Sequence, residues 1–251
     1  MEGEYDPTLE LVKAINNMHI MDPDTVGDSS NVNGPNVLSC FAPHFSAPLS
    51  GWVAPPTPSD GYNGHILKDF NEETSTAENI HQYCSRWPPN RTPVTYCNWI
   101  SINRDTVPKA GQENQVDALK SSFQALLARG NEFITVDSLD QIACESNVVS
   151  GKWLIFSDSR GLAEFWEDIV QLVCSIRRKG CAKVSPNKGH DRYVICIYAD
   201  DYTDLEDVNA LRDGLRRIGV TWKIGFKMDA YTHLGIYGKN AWGIRPNRYW
   251  Q

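Results

Sequence analysis

The chain has 251 residues, 41% of them hydrophobic, with eight Trp, ten Tyr and a formal net charge of −7. That is a globular composition with enough apolar surface to bury a core, and no apolar run approaches the roughly 18 residues that a membrane span needs. The acidic opening, Met1 to Asp6, has neither the basic nor the apolar segment of a secretory signal, so a cytoplasmic or nuclear location and no membrane association are expected.

Asp6-Pro7 is a helix N-cap followed by proline at the first helical position, and Leu9, Val12, Ile15 and Met18 continue it as a short apolar stripe. From Asp22 to Pro93 the chain is rich in Asn, Ser, Gly and Pro, and eleven of its fourteen prolines precede Val94, so little regular structure is expected there. The same stretch carries Phe41, Phe45, Trp52, Tyr62, Phe70, Tyr83 and Trp87, more aromatic surface than a solvated linker holds. Residues 1–93 therefore read as an arm with a short N-terminal helix that wraps the core, or alternatively as a segment that serves protein partners. Residues 94–251 read as a single α+β domain.

Val94 to Ile102 has strand composition, and Val116, Leu119, Phe123, Leu126 and Leu127 give a helix of about four turns ending at Arg129-Gly130. Thr135 caps a helix bearing Leu139, Ile142 and Ala143. Lys152 to Phe156 is a short buried strand, and Leu162, Phe165, Trp166, Ile169, Val173 and Ile176 form an amphipathic helix that places Trp166 in the core. Ala182-Lys-Val184 leads through Ser185 to Gly189 into the central strand Tyr193 to Ala199, as in a hairpin. Thr203 and Glu206 have capping-box spacing, which starts a helix striped by Leu205, Val208, Leu211, Leu215 and Ile218 and closed at Gly219. In the strand Thr221 to Met228, Trp222, Ile224, Phe226 and Met228 alternate with Lys223, Gly225 and Lys227.

Charge is divided unevenly along the chain. Residues 1–175 hold 10 Lys/Arg against 23 Asp/Glu, a balance of −13, while residues 176–251 hold 14 against 8, a balance of +6. A cationic region on an acidic protein points to a local anionic partner, RNA or a nucleotide, and the alternative is a solvated basic face.

The series Lys152-Trp-Leu-Ile155, Phe165-Trp166, Ala182-Lys-Val184, Ile195-Cys-Ile-Tyr198, a capped helix and Lys223-Ile-Gly-Phe226 resembles the cap-binding translation initiation factor 4E over about 75 residues. Lys183-Val-Ser-Pro186, Val194 to Tyr198, Asp229-Ala-Tyr231, Leu234-Gly-Ile-Tyr237 and Asn240-Ala-Trp-Gly243 resemble the family of the basophilic leukaemia-expressed protein, over roughly residues 94–250. The resemblance implies a cap-binding-like fold, a strongly curved and mainly antiparallel sheet backed by helices on its convex face; it supplies a scaffold rather than an activity. Cap binders sandwich methylguanine between two tryptophans, the second followed by an acidic residue about eleven residues before the Lys-Trp-Leu-Ile strand. Here that region is Asp140 to Glu145, without Trp, so the standard cap sandwich is not expected.

Catalytic patterns are weak. The six histidines are scattered, no Cys-x-x-Cys pair or Gly-x-Ser-x-Gly elbow is present, and Cys144, Cys174 and Cys196 lie among apolar neighbours as reduced core thiols. No catalytic residue, metal or cofactor is expected, and an enzyme is the third reading. Period-two alternation turns Lys183, Lys223 and Lys227 away from their apolar neighbours, toward the face that the resemblance makes concave. There they would join Lys239 and Arg245 around an anion, with Tyr231, His233 and Asn240 as hydrogen-bonding groups and Trp242 as a stacking plane. The chain so read is a nucleotide- or RNA-binding module, and the alternative is a protein-interaction adaptor acting through the arm.

Overall fold

The computed structural model describes residues 52, 53, 55, 64–105 and 114–251, and the helix expected at 6–18 lies outside them. In chain order the elements are β1 (His65–Phe70), α1 (Ala77–Arg86), β2 (Trp99–Arg104), α2 (Val116–Arg129), α3 (Val136–Glu145), β3 (Gly151–Ser157) and α4 (Leu162–Gln171), which runs on as a π-helical segment (Leu172–Arg177). There follow β4 (Gly180–Val184), β5 (Tyr193–Ala199), α5 (Leu205–Arg217), β6 (Gly225–Met228), α6 (Asp229–His233) and β7 (Tyr249–Trp250). The seven strands form one open sheet in the order β1-β2-β4-β5-β3-β6-β7. Only β1 and β2 are parallel, and every other neighbouring pair is antiparallel. The fold is thus α+β with a mainly antiparallel sheet, as expected.

Regular structure begins earlier than the composition of residues 22–93 predicts. Thr76 caps α1 by accepting from the Asn79 amide at 3.2 Å, and Ile80, Tyr83 and Cys84 recur at helical spacing on its buried side. The Tyr83 hydroxyl donates to the Ser101 carbonyl at 2.8 Å, so α1 is fastened to the sheet. Trp52 reaches the same helix, its Nε1 donating to the Arg86 carbonyl at 3.2 Å. The sheet therefore crosses the boundary read at residue 93.

Strand register sorts the side chains onto two faces. Ile66, Phe70, Ile100, Ile102, Ala182, Val184, Ile195, Ile197, Trp153, Ile155, Phe226 and Met228 lie on one, all buried beneath α1, α4 and α5. Trp153 is fully buried, its Nε1 donating to the Val208 carbonyl of α5 at 3.3 Å and its ring edge-on to Phe226. Trp166 lies in this core, as its helical position predicts. A second group of helices, α2, α3 and α6, gathers at the end of the sheet where β3 begins and β6 stops.

Several local expectations are corrected. The cap of α5 is Asp204, which accepts from the Asp207 amide at 3.1 Å, because the Thr203 hydroxyl is spent on the Asp201 carboxylate at 2.7 Å. Strand β2 starts at Trp99 rather than Val94, since Tyr96 closes a turn onto the Pro93 carbonyl. Strand β6 starts at Gly225, so Lys223 falls outside it and is exposed. Cys144 is exposed on α3, its Sγ 3.7 Å from the Tyr202 hydroxyl, whereas Cys174 and Cys196 are buried thiols as expected.

Candidate ligand-binding face of the sheet

The other face of the sheet carries the chemistry. Register places Ser101 opposite Lys183, Lys183 opposite Cys196, Tyr198 opposite Lys152 and Lys152 opposite Lys227, so three lysines from β4, β3 and β6 share this face. All three are nearly enclosed, with relative exposures of 6% for Lys152, 4% for Lys183 and 5% for Lys227. Alternation is the cause, because each lysine follows or precedes a core residue of its strand by one position.

Among the described residues, Lys152 alone of the three is paired with a carboxylate. Its Nζ donates to Asp229 Oδ1 at 2.5 Å and to Thr232 Oγ1 at 3.3 Å, while Asp229 also accepts from Ser150 Oγ at 2.6 Å. Burial opposes both charges, but their mutual attraction and hydrogen bonding outweigh it. Lys152 is held above the ordinary lysine value and Asp229 below the ordinary carboxylate value.

Lys183 and Lys227 have aromatic faces instead. Lys183 Nζ lies 4.3 Å from the centroid of the Trp99 ring and 5.7 Å from that of Tyr198, and Lys227 Nζ lies 3.5 Å from that of Tyr237. Among the described residues neither ammonium group forms an ion pair. Burial, reinforced by the nearby Lys152 charge, pushes Lys183 down to about 8 and Lys227 down to about 7. Tyr198 stands between Lys183 and Lys152, 5.4 Å from the latter, and its buried hydroxyl has no hydrogen-bond partner among the described residues. Burial raises its phenol well above the ordinary range. The polar strip continues to His65, whose Nδ1 is 3.1 Å from Ser101 Oγ.

The residues expected from sequence divide into two groups. Lys183 and Lys227 share the face, and His233 lies one helical turn after Asp229 on α6, with burial holding its imidazole below the ordinary value. Lys223, Lys239 and Arg245 are exposed, and no contact joins them to the lysine row among the described residues. Asn240 organises its own loop, donating to the Tyr237 and Ile244 carbonyls at 2.7 and 2.6 Å and accepting from the Trp242 and Ile244 amides. Trp242 packs edge-on against Phe123 and donates from Nε1 to Asn131 at 3.2 Å, so it braces α2. Tyr231 is buried, its phenol pushed up to about 12 by burial and by Asp140.

Sequence reasoning does not mark Lys152, Asp229, Trp99, Tyr198 or Tyr237 as site residues. The alternation that turns Lys183 to this face also turns Lys152 away from Trp153, so the sequence carries that signal; the Asp229 partnership joins residues 77 positions apart and has none. No helix among the described residues is long and apolar enough to cross a membrane, and no three His, Cys, Asp or Glu side chains among them cluster as metal ligands. Residues 134–235 match the model of the family described as basophilic leukemia-expressed protein Bles03, which supports the likeness to that family. The matched span includes Lys152, Lys183, Tyr198, Lys227 and Asp229 but neither Trp99 nor Tyr237.

Proposed function

We propose that the chain is a nucleotide- or RNA-binding module on a cap-binding-like scaffold that lacks the two-tryptophan cap sandwich. The observation that carries this reading is one sheet face holding two buried lysines that, among the described residues, have no ion-paired carboxylate, together with a buried tyrosine hydroxyl that has no hydrogen-bond partner among them. Such groups lower stability when nothing fills the site, by about 1–3 kcal/mol for an unmade hydrogen bond and more for an uncompensated charge. An entering phosphate supplies the counter-charge and the acceptor together. Trp99, half-buried beneath Lys183, supplies a ring on which a base contributes about 1–3 kcal/mol by stacking. The exposed Lys223, Lys239 and Arg245 extend the positive field and steer an anion inward.

Titration of the full chain with a short RNA and with GTP, at low and at moderate salt, tests the reading. Roughly micromolar affinity that falls with added salt is expected, and Lys183→Met weakens it by about tenfold or more. Affinity that ignores salt, or that survives Lys183→Met unchanged, refutes it. A methylated cap analogue binds no better than GTP, because no second Trp-acidic pair is available to read the modified base.

A further inference from the structure

Lys152 and Lys227 stand directly opposite each other on β3 and β6, which sets their Cα atoms about 5 Å apart. The carboxylate at that point, Asp229, is already engaged by Lys152, and the Lys227 amine rests against the Tyr237 ring. A lysine that is buried, lacks a carboxylate and adjoins a second ammonium group is the arrangement that frees an amine lone pair near neutral pH. From this geometry we infer that Lys227 is a nucleophilic amine that forms an imine with a small aldehyde or 2-oxo acid.

The titratable groups that act on Lys227 are Lys152 from β3, Asp229 from α6 and Cys196 from β5, and the Tyr237 ring from the loop after α6 lies against its amine. Burial and Lys152 outweigh the opposing influence of Asp229 and Cys196, and the amine sits at about 7. About half of it is neutral at pH 7, whereas roughly one in a few thousand ordinary lysines is. In the reaction the lone pair attacks the carbonyl carbon and a C–N bond forms. The carbonyl oxygen then leaves as water with the two protons that the neutral amine carried, and C=N remains. Cyanoborohydride traps the product by delivering hydride to the imine carbon while solvent protonates nitrogen.

The inference uses the same sheet face as the proposed nucleotide site but not that ligand assignment, since trapping is run without nucleotide and nucleotide titration without carbonyl. The full chain is treated with glyoxylate and cyanoborohydride between pH 6 and 9, and labelling of each lysine is followed by peptide mass spectrometry. At pH 7 Lys227 labels at least about tenfold faster than the exposed Lys223 and Lys239, with a rate that levels off above pH 7. Lys152→Met moves the Lys227 midpoint to higher pH, and Lys227→Arg removes that label while Lys223 and Lys239 are still modified. Labelling of Lys227 no faster than of Lys223, or a midpoint that Lys152→Met leaves in place, overturns the inference.

Discussion

Replacing Lys227 with methionine keeps the aliphatic stem in its slot against Tyr237 and removes the amine. In the fold this lysine sits at about 7, against 10.5 for an ordinary one. At ~1.4 kcal/mol per unit, holding the charged form in the fold costs up to about 5 kcal/mol at acidic pH. Local relaxation and water entry reduce the gain from removing such a charge to about 1–4 kcal/mol. The sign follows from proton counting: between about pH 7 and 10.5 the unfolded chain binds more protons at this residue than the folded one, so the parent gains stability as pH rises through that window. Lys227→Met lacks that gain. Its advantage over the parent is therefore full below pH 7 and closes towards pH 10.5. Denaturant unfolding followed by tryptophan fluorescence at pH 6 and pH 9.5 measures both numbers, and a thermal scan at pH 6 shows a rise of about 2–4 °C per kcal/mol. A variant less stable than the parent at pH 6, or a gap that does not change with pH, refutes the account of Lys227 as a destabilising buried charge.

Asp229→Asn strands the buried Lys152 charge and lowers unfolding free energy at pH 7 by about 3–5 kcal/mol. The depressed carboxyl also means that the stability Asp229 contributes is complete above the ordinary carboxylate value and is lost as pH falls below it, so the parent and Asp229→Asn converge in acid denaturation curves. Arg212→Met leaves the Val220 and Trp222 carbonyls, bonded at 2.8 and 2.7 Å, without their donor, and costs about 2–4 kcal/mol by the same assay. The double variant Lys239→Ala, Arg245→Ala weakens RNA binding by less than Lys183→Met in side-by-side titrations, because both side chains are exposed.

Elements whose cause is local were legible in the sequence. The apolar spacing of α2, the Thr135 cap of α3 and the unbroken β-branched run of β5 each carry their signal within a dozen residues, and the structure forms all three. The Pro- and Asn-rich composition of residues 22–93 masks strand β1 and helix α1, although the local pattern carries the helix: Thr76 followed by Ile80, Tyr83, Cys84 and Trp87 is a capped amphipathic helix. At the site, alternation alone placed Lys183 and Lys227. It misplaces Lys223, because β6 begins at Gly225, four residues after the start of the alternating stretch at Thr221. The grouping of Asn240, Trp242 and Arg245 with the lysines rested on their density in sequence. A loop that folds upon its own Asn240 amide directs those side chains elsewhere.

Strand order has a consequence for how the chain assembles. The hairpin of β4 and β5 joins neighbours in sequence and can form by itself, whereas β3 lies between β5 and β6, strands that leave the ribosome some 40 and 70 residues after it. Until β5 appears, the apolar stretch around Trp153 has no ladder partner, and until β6 arrives one of its edges stays open. Asp229 follows β6 directly, so the amine of Lys152 gains its counter-ion only in the step that closes that edge. A nascent chain halted before residue 225 would expose an unpaired edge of the apolar strand β3, a feature that favours retention by a chaperone over spontaneous release.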